Sequence, residues 1–101
     1  MMTVILNNDT EHEFNISEFQ YDYLKHDCII RNHDIDSWNQ GVSSYIASMK
    51  ETTITSIELR SDGESIRTYA NINGKIESFL ETFQLYGMGP MIAFEVGIKL
   101  N

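Results

Sequence analysis

Between Thr53 and Ile72 two alternating runs flank the dipeptide Asp62-Gly63, and no other feature of the chain restricts its fold as tightly. Asp-Gly suits a two-residue type I′ turn, whose central residues both need positive φ. Placed there, the turn sets Leu59 opposite Ile66, Ile57 opposite Thr68, Thr55 opposite Ala70 and Thr53 opposite Ile72 on one face, with Glu58 opposite Arg67 on the other. Apolar groups then meet apolar groups and an acid meets a base, and a one-residue slip would undo both. The sequence therefore predicts an antiparallel hairpin over 53–72.

The same period of two returns from Met91 to Leu100, where Ile92, Phe94, Val96, Ile98 and Leu100 share one side and Ala93, Glu95, Gly97 and Lys99 the other, the pattern of a half-buried strand. Tyr86-Gly87-Met88-Gly89-Pro90 before it has turn composition. Residues 75–86 fit a helix through Ile76, Phe79, Leu80 and Phe83, or a strand through Phe79, Phe83 and Leu85. Strand is the better choice, because it can pair backward through Asn73-Gly74, read as a hairpin turn, and forward through the Gly-Pro turn. Upstream, short strands are expected at Thr3 to Leu6, Glu13 to Ile16, Phe19 to Tyr23 and Cys28 to Arg31, with a turn at Asn7 to Thr10.

One segment switches to a helical period. From about Ser37 to Glu51, Trp38, Val42, Tyr45, Ile46 and Met49 form a stripe that should lie on a sheet, and Ser37-Trp38-Asn39-Gln40 has the form of a capping box. At 101 residues, with the single proline at Pro90 and no linker or repeat, the chain reads as one α+β domain over 1–101. Its architecture is expected to be an antiparallel β-sheet or small β-sandwich with one packed helix over about 37–51.

Charge narrows the partners. The net charge is −8, and residues 1–36 hold eight acids against Lys25 and Arg31, which places −6 of it in the first third. Neither nucleic acid nor an anionic membrane is an expected direct partner, because both demand clustered Lys and Arg. No apolar run is long enough to span a bilayer, and the Met-Met-Thr-Val-Ile-Leu start lacks a basic flank and a long apolar region, so the expected compartment is cytosolic or otherwise reducing. The single Cys28 permits no internal disulfide, and Asn15-Ile16-Ser17 is then an accidental glycosylation sequon.

Few residues suggest chemistry. His26, Cys28, His33 and Asp36, with His12 upstream, are the only grouping of metal-type ligands, and it lacks the repeated tight spacing of a zinc site. Cys28 beside His26 or His33 has the elements of an activated thiol, but Asp27, Asp34 and Asp36 make the setting electronegative, which disfavours a thiolate. Flanked by Ile29 and Ile30, Cys28 reads as a core residue. Phe19, Tyr21 and Tyr23 share one strand face and could offer a sugar platform, though filling the core is the simpler role. No phosphate loop, H-E-x-x-H, G-x-S-x-G or C-x-x-C is present. The expectation is a protein with neither catalytic residues, cofactor nor metal, whose contact residues are the acids Glu11, Glu13, Asp22 and Asp27 and the turn methionines Met88 and Met91.

The stretch Ile54-Thr-Ser-Ile-Glu-Leu-Arg-Ser-Asp-Gly-Glu-Ser-Ile66, followed by Tyr69-Ala-Asn-Ile-Asn-Gly-Lys-Ile-Glu-Ser-Phe79 and the alternating last strand, resembles small proteins of phages and prophages of Gram-positive bacteria. The resemblance covers about the second half and carries no catalytic motif. It implies a structural or interaction protein of a virion head, neck or tail, found in the host cytoplasm or the particle, with a protein partner or further copies of itself. The charge asymmetry supports an alternative, an acidic inhibitor of a host nucleic-acid enzyme, such as an anti-CRISPR or other anti-defence protein acting as a DNA mimic.

Overall fold

The computed structural model describes residues 1–33, 40–87 and 89–101. Among them the strands are β1 (Met2–Leu6), β2 (Phe14–Ile16), β3 (Glu18–Asp22), β4 (Asp27–Asn32), β5 (Ile54–Ser61), β6 (Glu64–Tyr86) and β7 (Gly89–Leu100). One helix, α1 (Gln40–Ser48), lies between β4 and β5, and a 3-10 helix occupies Thr10–His12. The chain is thus α+β, with the sheet dominant.

All the strands belong to one antiparallel sheet in the order β2-β1-β5-β6-β7-β4-β3. β2 and β3 are its two edges, yet Ser17 alone separates them in sequence. In a flat sheet of seven strands those edges would stand roughly 29 Å apart, several times what one residue can span. The sheet must therefore roll until its edges meet. They do so at Ser17, whose N–H donates to the Arg31 carbonyl of β4 at 2.8 Å, while Asn32 Nδ2 donates to the Asn15 carbonyl at 3.0 Å. Of the sheet and the sandwich that the sequence allows, the chain adopts a single rolled sheet.

Rolling turns one face inward and fills it. Val4, Leu6, Phe14, Ile16, Cys28, Ile30, Ile57, Leu59, Phe94, Val96, Ile98 and Leu100 are buried in one cluster, each large aliphatic contributing about 1.5–3 kcal/mol. α1 adds Ile46 and Met49 to the cluster, and its Tyr45 packs edge-on to Phe14 at 6.3 Å between ring centroids. Elsewhere Tyr21 of β3 and Tyr69 of β6 stack at 4.3 Å with 2° between their planes, and Phe19 joins them. There β3 and the first half of β6 face one another without main-chain pairing, and ring contact takes its place.

The Asp62-Gly63 turn forms as its sequence requires, with φ of 51° and 84° and with Ser61 opposite Glu64. The register beyond it differs from the expected one. A bulge between Leu59 and Arg60 leaves Ile66 without a partner, so Leu59 faces Arg67, Glu58 faces Thr68 and Ile57 faces Tyr69. The bulge exchanges Ile66, 56% exposed, for the larger Tyr69 on the inner face.

Asn73-Gly74 is not a turn either. β6 runs straight through it, and Gly74 pairs with Ile54 of β5 on one side and Leu100 of β7 on the other. A Cβ at Gly74 would lie 2.8 Å from Leu100 Cδ2 and 2.9 Å from Ile98 Cγ2, so the glycine serves close approach instead of reversal. The register shifts again between Ile54 and Ser56, beside Asn71 with φ of 57°. Asn7 serves that shift by accepting from Thr55 N–H at 2.7 Å and donating to the Thr53 carbonyl at 2.9 Å.

Residues 75–86 are strand, as the pairing argument favoured, and β7 buries Phe94, Val96, Ile98 and Leu100. The helix is shorter than the expected 37–51: it spans Gln40–Ser48, Met49 to Glu51 form a turn, and Ser37, Trp38 and Asn39 lie outside the described residues, as does the capping box they would form. Pairing in the last hairpin reaches Tyr86 opposite Gly89, so both strands run into the segment expected to be turn. Leu59→Ala should lower stability by about 2–5 kcal/mol, whereas Ile66→Thr should change it by less than about 0.5 kcal/mol. Urea unfolding of the two variants checks the bulge, since the unbulged register requires comparable losses.

Candidate interaction site

Among the described residues β4 accompanies β7 from Phe94 onward, and the strand partners of Thr82 to Tyr86 are Gly89 to Ala93. This hairpin is an arm, and the chain measures 44 × 28 × 25 Å along its principal axes. Its inner face prolongs the core face. Val96 and Phe94 are buried opposite Phe79 and Glu81, and the next pair outward is Ile92 with Phe83, followed by Leu85. The apolar stripe thus runs past the rolled sheet: Phe83 is 59% exposed, Leu85 84%, and on the opposite face Leu80 is 61%. Such a run on a protruding element marks contact with another molecule more often than an isolated exposed leucine does.

Between the arm and α1 lies an open groove of about 650 Å³ lined by Gln40, Ser43, Ser44 and Ala47 of the helix and by Phe79, Glu81 and Phe83 of β6. Small helix side chains leave the space. Ser43 Oγ donates to Glu81, so the one charged group among the described lining residues is engaged by the groove's own wall.

The acids expected to act together do not form one surface. Glu11 and Glu13 adjoin the 3-10 helix before β2, whereas Asp22 and Asp27 flank the β3–β4 turn, separated from the first pair by roughly 30 Å of extended chain. Glu13 accepts from Thr3 Oγ1 and lies 3.6 Å from Arg60. Asp22 accepts from the N–H groups of Leu24 and Lys25 at 3.0 and 2.9 Å, and these backbone bonds, that of Lys25 foremost, hold its carboxyl below the ordinary range. Arg31 bridges Glu18 and Glu95 across the outer face, neutralising part of the remaining charge. Met91 is half-buried on the arm opposite Gln84, and Met88 lies outside the described residues.

The histidine–cysteine grouping is likewise drawn apart. His26 and His33 stand beyond opposite ends of β4, about 20 Å from each other. Cys28 between them points into the core at 1% exposure, Asp36 lies outside the described residues, and His12 pairs with Asp9 at 2.8 Å while stacking on Tyr45 at 4.3 Å. Among the described residues no three of His, Cys, Asp and Glu are placed to hold a metal ion. The aromatic face is partly committed to the core: Phe19 and Tyr21 pack inward, while Tyr23, past the end of β3, is 60% exposed and accepts from Arg67 Nη2 at 3.0 Å. That bond holds the Tyr23 phenol below its ordinary range. No helix among the described residues is long and apolar enough to cross a membrane.

No protein-family model matches the chain, and searches of curated proteins and of solved structures also find no match.

Burial, followed by the Asp27 charge, pushes the Cys28 thiol up to about 12, and burial, followed by Asp9, does the same to the Tyr45 phenol. A folded-state pKa raised above the unfolded value gives stability that is complete below the unfolded pKa and is lost as pH rises towards the folded one. For Cys28 the window is therefore pH 9 to about 12, with a limiting slope near 1.4 kcal/mol per pH unit. Alkaline unfolding should steepen above pH 9, and Cys28→Ala should flatten the first part of that loss. Native chain should resist a maleimide at pH 8 and react once urea unfolds it.

Proposed function

We propose that this chain is a non-enzymatic phage-encoded structural or interaction protein, a component of a virion head, neck or tail, which meets a protein partner through the β6–β7 arm. The observation that carries the reading is the apolar stripe that leaves the core and continues, exposed, along a hairpin joined to the body by unbroken strands. An arm of this kind adds area and strand edge to a contact while the rolled body fixes its direction. Inward burial of Cys28 and the separation of His26 from His33 lend no support to turnover. The protein would be made in the host cytoplasm and end in the particle.

The competing reading, an acidic inhibitor of a host nucleic-acid enzyme, has less support. Its contact acids fall into two groups at opposite ends of the β2–β3 strand, and Glu13 is tied to Thr3 and Arg60, so they make no continuous phosphate-like row.

Mass spectrometry of purified virions should detect the chain, and Leu85→Asp should reduce its incorporation at least tenfold while circular dichroism stays unchanged. Absence of the wild-type chain from particles would overturn the assignment. If it were absent, loss of host-protein binding on neutralising Glu11, Glu13, Asp22 and Asp27 together would establish the inhibitor in its place.

A further inference from the structure

We infer that the arm's partner is a second copy of this chain, with the Leu85 tip of one copy seated in the groove between α1 and β6 of the next. This inference rests on the reading of the arm as a contact element and specifies what the arm meets.

The argument begins with charge. Two copies of a chain of net charge −8 repel, and like charges brought face to face cost several kcal/mol, so a surface on which they meet must either pair opposite charges or be neutral. The chain has two long stretches without Asp, Glu, Lys, Arg or His. One is the thirteen residues from Ser37 to Met49, which include α1, and the other is the thirteen from Thr82 to Phe94, which include both strands of the arm. No other uncharged stretch exceeds eight residues.

The fold sets these two stretches to complementary uses. The arm supplies a protrusion, with Leu85 84% exposed near its tip and Met91 and Ile92 half-buried on the facing strand. The helix supplies a recess, where Ser43, Ser44 and Ala47 leave about 650 Å³ beside Phe79. Among the described residues Glu81 is the only charge lining that recess, and it is held by Ser43 Oγ. An aliphatic tip entering there would meet Ser43, Ser44 and Ala47 of the helix, whereas the Glu11 to Glu13 segment lines a separate cleft with Gly41, Val42 and Tyr45 of α1.

Geometry makes the contact head-to-tail. The tip lies at the outer end of the arm and the groove at its base, so one copy cannot fill its own groove with its own tip. A heterologous contact of this type leaves one tip and one groove free at the ends of any open assembly, and it either closes into a ring or propagates.

Analytical ultracentrifugation of the full chain at concentrations on the order of 100 µM should show species larger than a monomer. Leu85→Asp removes the tip and Ala47→Glu blocks the groove. Both sites are exposed, and each variant should be monomeric with unchanged circular dichroism. Mixed one to one, the two variants should form a heterodimer and nothing larger, because one intact tip then meets one intact groove. Wild-type chain that stays monomeric, oligomers that survive either substitution, or a variant mixture that stays monomeric would each overturn the inference. A monomeric chain still carried in virions and lost from them on Leu85→Asp would refute self-contact and leave the virion assignment standing. A self-associating chain absent from virions would do the reverse.

Discussion

Everything in this fold follows from the one residue between β2 and β3. Ser17 connects the two edges of a seven-stranded sheet, and a link that short is compatible only with edges that touch. Its N–H and side chain both bond to the Arg31 carbonyl, and its Oγ accepts from His33 N–H, so the junction is held from each side. Once the edges are joined, the inner face has nowhere to turn but toward itself. The apolar halves of β1, β4, β5 and β7 become mutually buried, and one short helix suffices to supply the remaining cover.

The geometry that closes the body also opens the arm. β6 is longer than the sheet can use on either side, pairing with β5 over its first half and β7 over its second, with Gly74 at the crossover. Because the helix occupies only the base of the second half, the remaining apolar positions are presented outward. The result is a packed body that carries the charged residues and a protrusion whose strands carry none from Thr82 to Ala93.

Much of this was legible in the sequence because it depends on local chemistry. Asp62-Gly63 dictated a type I′ turn from the backbone needs of its two residues, the alternation in β7 marked its inner face, and the short strands before residue 33 were found within one or two positions. What was not legible depends on partners distant in the chain. The bulge at Ile66 answers to the space beside Phe19 and Tyr21, which alternation along β6 cannot reveal. Gly74 looked like a turn because Asn-Gly usually is one, and only the proximity of Leu100 and Ile98 discloses its other role. The acids were grouped by position in sequence, whereas an extended strand carries Glu13 and Asp22 to different ends of the molecule. Near the last turn the sequence drew attention to Met88 and Met91, and what alternation alone does not reveal is that Leu80 and Leu85 are more exposed than half-buried Met91.

The unbroken course of β6 has a mechanical meaning as well. β6 and β7 are joined at the tip, so a pull there along the strand axis loads the β6–β5 and β7–β4 ladders, whose hydrogen bonds lie across that direction and are strained together instead of opening one after another. Peeling would require a sideways load, which the helix at the arm's base is placed to resist. Tension arriving at the tip is thereby spread through the whole rolled body, as a strut passes its load to the wall in which it is anchored.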